Sequence, residues 1–210
     1  MSREITIVGA GGHGRVCADV ASGAGYVVHG FADHDHELGD FINGYQCVAN
    51  TFEDLEQHCK PGFRMLFIAI NDNALRLEIF KKSEAIGFEV PTLIHPSAVV
   101  SPHATIENGT IVMPGAVVNA NAHIGNCCVL NTGVRIEYDV VLADSVHVSS
   151  GAVISGGTSV GANSFVGTGA SIIPGIRIGE GCLIGAGAAV TSNVQDGECV
   201  AGVPARVIRN

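Results

Sequence analysis

The chain has 210 residues, of which 47% are hydrophobic, so it can bury one large core or two small ones. Its formal net charge of −9 excludes the basic stripe that nucleic-acid binding requires. No apolar run reaches the ~18 residues of a membrane helix and the charged start lacks a signal peptide's apolar segment, so we expect a cytoplasmic protein without a membrane partner. The seven cysteines form no CxxC pair, which favours free thiols in a reducing compartment.

The first residues predict a strand, a glycine loop and a helix. An apolar run at 4–8 leads into GAGGHG at 9–14, and apolar residues at helical spacing follow. A second strand at 26–32 ends at Asp33, about 20 residues after the loop, where dinucleotide folds place an acid against a ribose. The arrangement is that of a nucleotide-binding βαβ unit.

The glycine loop is the first candidate binding site. Gly11 and Gly12 would let backbone N–H groups approach a pyrophosphate, at which the helix points its positive N-terminus. Asp33 or Asp35 would then contact the ribose or the base. The alternatives are a purely structural turn, a dinucleotide site and, for the two aspartates, solvated loop acids.

Strands and helices continue to alternate up to residue 94. The sequence predicts a short helix at 52–58, a buried strand at 65–70, a helix at 73–86 and a strand at 88–93. This alternation indicates a small parallel α/β domain over residues 1–94. The domain is half a Rossmann fold without the second half that would hold a nicotinamide, so a single nucleotide or a nucleotide sugar suits it best.

An aliphatic residue recurs at every sixth position from residue 100 to residue 190. The sixteen column residues are Val100, Ile106, Val112, Val118, Ile124, Leu130, Ile136, Leu142, Val148, Ile154, Val160, Val166, Ile172, Ile178, Ile184 and Val190. This period predicts a parallel β-helix in which three hexads make a turn of about 18 residues and turns stack at about 4.8 Å. A β-sandwich would need irregular turns between its strands. We expect the β-helix over 95–198 and a capping tail over 199–210.

The six-residue register also predicts where other side chains lie. His147 directly precedes a column residue and should therefore point outward from the coil. Tyr138 lies two residues after a column residue, at a corner. Thr168 and Ala186 are 18 residues apart, so they should stack one turn above another on the same face.

Several motifs together resemble one bacterial enzyme family over essentially the full length. They are GAGGHG at 9–14, INDN at 70–73 followed by Arg76, IHPSA at 94–98, the uninterrupted coil and GVPAR at 202–206. The family is that of sialic-acid O-acetyltransferases and nucleotide-aminosugar N-acetyltransferases. The resemblance implies a left-handed β-helix, a homotrimer with acetyl-CoA in the groove between neighbouring coils, and a nucleotide-linked amino sugar on the N-terminal domain.

The resemblance also implies roles for residues at matching positions. The expected substrate-binding set is Gly11, Gly12, His13, Asp33, Asp35 and Asn71. The expected coenzyme-binding set is Gly156, Thr168 and Ala186, and the expected catalytic set is Asn131, Tyr138, Asp139 and His147. His147 would stabilise developing oxyanion charge with an N–H group. No metal is expected.

One position departs from the family pattern, and it concerns the catalytic base. The family commonly uses a histidine within an Asn-Thr…Glu-His-Asp/Glu segment, whereas this chain reads NTGVRIEYD at 131–139, with Tyr138 in the histidine's place. A phenol with a pKa of about 10 is a poor base at neutral pH. Four explanations are open: an inactivating replacement, a donor or positioning role beside another base, an amine that arrives unprotonated, or a different activity. Asp139 would act on the amine directly or through water.

The predicted reaction is direct acetyl transfer from acetyl-CoA to the amine of a nucleotide-linked sugar in a ternary complex. No cysteine has a recognisable nucleophile setting, so no acetyl-enzyme is expected. The alternatives are a homologue that binds ligands but is catalytically impaired or inactive, and a sugar O-acetyltransferase. A zinc hydratase using His103, His123 and His147 is a further rival, although His123 and His147 would lie on different faces of one coil.

Overall fold

The computed structural model describes residues 3–58 and 65–209. The chain divides into two compact units, Met1–His95 and Pro96–Asn210. Six of the seven cysteines are described, and all six are buried and free; Cys59 lies outside the described residues. No helix in the described ranges has both the length and the apolar character needed to cross a bilayer.

The first unit is a five-stranded sheet with helices. Its elements are β1 Glu4–Val8, α1 Gly12–Gly23, β2 Val27–Ala32, β3 Phe41–Ile42, β4 Tyr45–Ala49, α2 Phe52–His58, β5 Leu66–Ile68 and α3 Asn73–Ala85, followed by the short β6 Leu93–Ile94. The sheet order is β3-β4-β2-β1-β5, and all pairs except β3–β4 are parallel. Ile5 and Ile7 of β1 are fully buried, as expected for an interior strand of a covered parallel sheet. The predicted strand, loop and helix are confirmed.

Two local elements differ from the sequence-based expectation. The hairpin β3–β4 was not predicted. Its turn is Asn43-Gly44, with φ values of 50° and 86°, and such positive φ values favour asparagine and glycine. The predicted strand at 88–93 was wrong: the segment forms only an isolated bridge from Glu89 to Met65 before the two residues of β6. A single bridge leaves most of that segment's backbone outside the sheet.

The second unit is a left-handed parallel β-helix, as predicted. Its two-residue strands are β7 Val99–Val100, β8 Thr105–Ile106, β9 Ile111–Val112, β10 Val117–Val118, β11 His123–Ile124, β12 Val129–Leu130, β13 Arg135–Ile136, β14 Val141–Leu142, β15 His147–Val148, β16 Val153–Ile154, β17 Ser159–Val160, β18 Phe165–Val166, β19 Ser171–Ile172, β20 Arg177–Ile178, β21 Leu183–Ile184 and β22 Ala189–Val190. Every third strand pairs in parallel, with partners 18 residues apart such as Ile136 and Ile154. The coil therefore has three faces.

The three faces are defined by their strands. The first face is β7-β10-β13-β16-β19-β22, the second is β8-β11-β14-β17-β20, and the third contains β9-β12-β15-β18-β21. The column residues from Val112 onward are buried and form one continuous core, while Val100 and Ile106 are partly buried at the end where the coil begins. The coil thus presents three flat faces and three corners around an aliphatic axis.

The tail extends the third face and then reverses. Strand β23 Cys199–Ala201 pairs in parallel with β21, and β24 Arg206–Arg209 returns antiparallel to β23. The backbone N–H of Ala205 donates to the Ala189 carbonyl at 2.8 Å. The tail therefore covers backbone groups at the last turn that would otherwise form an open sheet edge.

Candidate active site

The glycine loop joins β1 to α1 and is open on its outer side. Gly9 has a φ of 99°, and a Cβ on Gly14 would overlap the Gly9 carbonyl oxygen, so these two glycines are required by the turn and by close packing. Gly11 and Gly12 are exposed, and a Cβ on either would meet nothing within 4 Å. The loop therefore leaves free space at the N-terminus of the twelve-residue helix α1.

Asp33 ties the end of β2 to the glycine loop. Its Oδ2 accepts the Ala10 N–H at 2.6 Å, and its Oδ1 accepts the Asp35 N–H at 2.8 Å and lies 3.2 Å from Nδ1 of His36. Burial alone would raise the pKa of Asp33, but these donors outweigh it and hold the pKa below its usual value. Both oxygens are thus engaged within the protein, whereas the Asp35 side chain is 76% exposed.

Asp33, His34 and Asp35 are also the one group of three potential metal ligands found together in the described residues. Their ligand atoms lie within 4.8 Å of one another. His34 and Asp35 are exposed, and the Asp33 oxygens already accept hydrogen bonds. His123 and His147, considered above as zinc ligands, lie on the second and third faces of the coil.

His13 lies in the first turn of α1 beside a buried cation. Burial lowers the pKa of His13 to about 4, and the nearby Arg76 guanidinium adds to this effect. The Sγ of Cys17 is 3.6 Å from Nε2 of His13, and burial raises the pKa of that thiol. His13 is therefore neutral at pH 7 and can contribute hydrogen bonds, but no positive charge, to a ligand.

In the sequence Arg76 stands out only as part of a motif, whereas the structure shows which groups its side chain binds. Its guanidinium is buried and donates to the carbonyls of Ile70 at 2.8 Å and Asn71 at 3.3 Å and to Oδ1 of Asn73 at 2.8 Å. These bonds fix the loop between β5 and α3, on which Asn71 is exposed. An arginine six residues after the end of the strand predicted at 65–70 was the available sequence signal.

Tyr138 and Asp139 occupy the corner between the first and second faces. Tyr138 is 57% exposed, and Asp139 adopts a φ of 55°. The Asp139 Oδ1 accepts from Nδ2 of Asn121 at 3.1 Å, and Oε2 of Glu137 accepts from Nδ2 of Asn119 at 3.0 Å. The tyrosine is therefore flanked in sequence by two carboxylates. Each of them accepts a hydrogen bond from an asparagine 18 residues earlier, which is one turn of the coil. Glu137 was not predicted as a site residue, although the 18-residue spacing pointed to this pairing.

The ring of Tyr138 lies over the next turn of the same corner. A Cβ on Gly156 would be 2.6 Å from Cζ of Tyr138 and 2.7 Å and 2.9 Å from its two Cε atoms. The Tyr138 carbonyl accepts the Gly157 N–H at 3.0 Å, which holds the two turns together. Gly156, expected to bind the coenzyme, is thus covered by the outer half of the tyrosine ring.

His147 lies on the third face of the coil and is buried there. Its side chain points away from the core, since Val148 is the column residue, yet His147 is only 7% exposed. Its ring packs against Phe165 of β18, the adjacent strand in the same face, with ring centroids 4.9 Å apart. A hydrogen bond from a partly enclosed imidazole is stronger than one from an exposed imidazole, because water competes less with it.

Asn131, Thr168 and Ala186 lie on the corner between the third and first faces. The Asn131 Oδ1 accepts the Thr132 N–H at 2.8 Å. Thr168 and Ala186 are exposed and stacked one turn apart, and the Thr168 carbonyl accepts the Gly187 N–H at 2.8 Å. The small side chains leave this corner open along the axis.

Comparison with known proteins identifies the family. Residues 4–83 match the family model of the PglD N-terminal domain, and residues 157–192 match that of the bacterial transferase hexapeptide (six repeats). A histidine-to-asparagine mutant of perosamine N-acetyltransferase from Caulobacter crescentus, solved with CoA and GDP-perosamine, is 34% identical over 99% of this chain and 97% of its own, with a TM-score of 0.94. The chain belongs to the sialic-acid O-acetyltransferase and nucleotide-aminosugar N-acetyltransferase family.

Two further solved structures show the same fold. The acetyltransferase domain of PglB from Neisseria gonorrhoeae FA1090, solved with acetyl coenzyme A, is 36% identical over 99% of this chain and 100% of its own, with a TM-score of 0.93. WeeI from Acinetobacter baumannii AYE is 24% identical over 97% and 99% of the two chains, with a TM-score of 0.86. The likeness to these structures extends over both units of the chain.

Within this acetyltransferase the expected site residues form separate groups. The first unit carries the glycine loop with His13, the Asp33 and Asp35 turn, and Asn71. On the coil, Tyr138, Asp139 and Gly156 share one corner, and Asn131, Thr168 and Ala186 share another. His147 lies on the third face, which is opposite the corner of Tyr138 in a three-sided coil. A single coil therefore does not bring the four expected catalytic residues together.

Proposed function

We propose that this enzyme transfers the acetyl group of acetyl-CoA to the amine of a nucleotide-linked amino sugar. The observation that carries the proposal is the likeness, over 99% of the chain, to a perosamine N-acetyltransferase that was solved with CoA and GDP-perosamine. The open glycine loop and the open coil corner are suited to the two ligands. Acetyl-CoA acts as co-substrate, and no metal takes part.

The nucleotide sugar binds to the first unit through backbone groups rather than through a lysine patch. The exposed N–H groups at Gly11 and Gly12 and the N-terminus of α1 attract the diphosphate. His13, being neutral, and Asn71 contribute hydrogen bonds to the sugar. Asp35 is the acid free to contact the ribose or base, because the Asp33 oxygens are already engaged.

The sugar nitrogen attacks the thioester carbonyl carbon directly, so a C–N bond forms and the C–S bond breaks. The nitrogen loses a proton and the departing CoA sulfur gains one, which leaves the amide and free CoA. Asp139, held by Asn121, takes up the proton from nitrogen directly or through water. His147 donates an N–H to the oxygen that becomes negative in the tetrahedral intermediate, and Asn131 contributes to the same site.

Tyr138 positions the attacking nitrogen in this mechanism. A neutral phenol is a poor proton acceptor, so proton removal falls to the carboxylate. The neutral hydroxyl oxygen accepts a hydrogen bond from the amine and directs the nitrogen lone pair toward the carbonyl. An amine needs less help from a base than a hydroxyl does, which fits nitrogen as the acetyl acceptor.

The working form is a homotrimer with its active sites between coils. Tyr138 and His147 lie on opposite sides of one coil, so a neighbouring copy supplies one of them to each site. The stacked backbone of Thr168 and Ala186 binds the pantetheine arm in the same groove. We place the enzyme in the cytoplasm, in keeping with the free thiols of its described cysteines.

An assay of acetyl-CoA consumption tests the proposal. GDP-, UDP- and dTDP-linked sugars that carry an amine at different ring positions are offered in turn, each beside the matching sugar with a hydroxyl in place of the amine. Release of CoA with an amino sugar and not with its hydroxyl counterpart supports N-acetyl transfer. CoA release with none of them, by the wild type and by Tyr138→His alike, contradicts it. An enzyme inactive only until Tyr138→His is introduced would identify the chain as an impaired homologue.

A further inference from the structure

The backbone of the coil does not explain why residue 156 is a glycine. It lies two residues after the column residue Ile154, and this position carries side chains elsewhere on the same corner, namely Ala120, Tyr138 and Pro174. Its φ is outside the left-handed region, unlike that of the following Gly157 at 68°. Neither the conformation nor the position in the repeat therefore requires glycine.

The surroundings of a hypothetical Cβ separate Gly156 from other glycines of the coil. A Cβ on Gly161 or Gly167 would press against backbone atoms of the next turn. At Gly156 the three nearest atoms all belong to the phenol end of Tyr138, at 2.6 to 2.9 Å. Because carbon atoms in contact are normally about 3.5–4.0 Å apart, the ring rests directly on the glycine.

We infer that Gly156 is a positioning residue for Tyr138. The missing Cβ lets the ring lie along the coil over the next turn, and this contact fixes the height of the hydroxyl above the corner. The inference rests on the proposed function, in which that hydroxyl orients the attacking amine. Asn121 fixes Asp139 on the same corner, so the tyrosine and the carboxylate are held by different neighbours.

The size of the effect follows from the geometry. Replacing Gly156 with alanine would force the ring outward by about 1 Å, since a Cβ needs about 3.5 Å where 2.6 Å is available. The obstacle is the end of a mobile side chain on the surface, so the fold should survive. A displacement of about 1 Å in a group that orients a reactant costs up to about 100-fold in rate.

A double-mutant cycle tests the inference, with Gly156→Ala, Tyr138→Ala and the two combined in the full-length protein. We expect Gly156→Ala to lower kcat by about 10- to 100-fold while the KM for acetyl-CoA changes by less than about 2-fold. In the Tyr138→Ala background, Gly156→Ala should have no further effect. Equal losses in both backgrounds, or weaker binding of CoA by calorimetry in both, would overturn the inference.

Tyrosine fluorescence provides a readout that needs no substrate. The chain has no tryptophan and three tyrosines, of which Tyr26 is 9% exposed and Tyr138 is 57% exposed. The emission of Tyr138 is the part of the signal that is lost in Tyr138→Phe. Gly156→Ala should make this part more accessible to quenching by iodide. Unchanged quenching would contradict the inference even if every sugar failed as a substrate. Glu180→Ala, at the equivalent exposed position of another corner, is the matched control and should leave both quenching and kcat unchanged.

Discussion

The two units of this protein use the polar residues of the candidate site in different ways. In the coil, backbone bonds between turns and the aliphatic columns hold the corner, so Tyr138 and Asp139 are available for the proposed chemistry. In the first unit, Asp33 and Arg76 hold loops in place beside the ligand residues. Substitution at the coil corner of Tyr138 should therefore change activity without changing stability, whereas substitution of the residues that hold the loops of the first unit should change both.

Among these variants, Gly14→Ala should cause the largest loss of stability in the first unit. The added Cβ overlaps the Gly9 carbonyl, and backbone atoms of the turn cannot move aside without breaking the contact between β1 and α1. We expect a loss of about 3 kcal/mol or more in the stability of the first unit, together with loss of nucleotide-sugar binding. Urea unfolding followed by tyrosine emission in a Tyr138→Phe background measures it, because Tyr26 and Tyr45 both lie in that unit.

Gly12→Ala is the control for that experiment. It places the same methyl group in open space at the start of α1, where alanine is the better helix former. Its unfolding midpoint should equal or exceed that of the wild type. A similar loss in both variants would show that the close approach at Gly14 is not what matters.

His13 should make the first unit sensitive to acid. Its pKa is about 4 in the folded protein and about 6.5 in the unfolded chain, so the unfolded state binds more protons between these values. Stability is complete above pH 6.5 and falls as the pH drops toward 4, by up to ~3 kcal/mol. Urea midpoints of His13→Gln, which cannot titrate, should vary less between pH 7 and pH 4.5; an equally steep decline would remove His13 as the cause.

Asp33→Asn should have a smaller but still measurable effect. The amide replaces an ionised acceptor of N–H groups from Ala10 and Asp35, and such bonds contribute about 2 kcal/mol together. Because the pKa of Asp33 is depressed on folding, its contribution is present above pH ~4 and disappears as the pH falls through the folded-state pKa. The stability gap between wild type and variant should therefore close in acid, and a gap independent of pH would contradict this role.

Asp35→Asn separates loop structure from ligand binding at the same turn. The Asp35 side chain is exposed, so its unfolding midpoint should match the wild type. If Asp35 is the acid that contacts the nucleotide, the KM for the nucleotide sugar should rise by several-fold. An unchanged KM would return the ribose or base contact to Asp33.

The repeat made most of the coil predictable from the sequence. Every sixth residue was aliphatic, so the column residues, the corner of Tyr138 and the stacking of Thr168 on Ala186 followed from counting alone. The burial of His147 did not, because it depends on the size of Phe165 on the adjacent strand. The contact of Tyr138 with Gly156 did not follow from counting either, because it depends on a rotamer that spacing does not specify.

The first unit was predicted only in outline, and the reason is physical. Its strand, loop and helix follow from local patterns, but the tasks of Asp33 and Arg76 depend on which loops meet at the sheet edge. The Asn43-Gly44 turn was a local signal for the hairpin β3–β4. An acid at the end of β2 fits both a ribose contact and a loop anchor, so sequence alone left the two open.

Tyr138→Phe should have the smallest effect on stability and a clear effect on catalysis. The ring keeps its contact with Gly156, so the unfolding free energy should change by less than about 0.5 kcal/mol. Loss of the hydroxyl that orients the amine should lower kcat by about 10-fold or more. A fall in stability with unchanged kcat would reverse the contrast between the two units.

The most direct test is mass analysis of the product formed from acetyl-CoA and a GDP-linked 4-amino sugar by the wild-type enzyme. We predict a nucleotide sugar that gains one acetyl group on nitrogen, with one CoA released for each, and no acetylated protein when acetyl-CoA is supplied alone. An unmodified sugar across the GDP, UDP and dTDP series, or acetyl attached to a protein residue on the way to product, would contradict direct transfer to a nucleotide-linked amine.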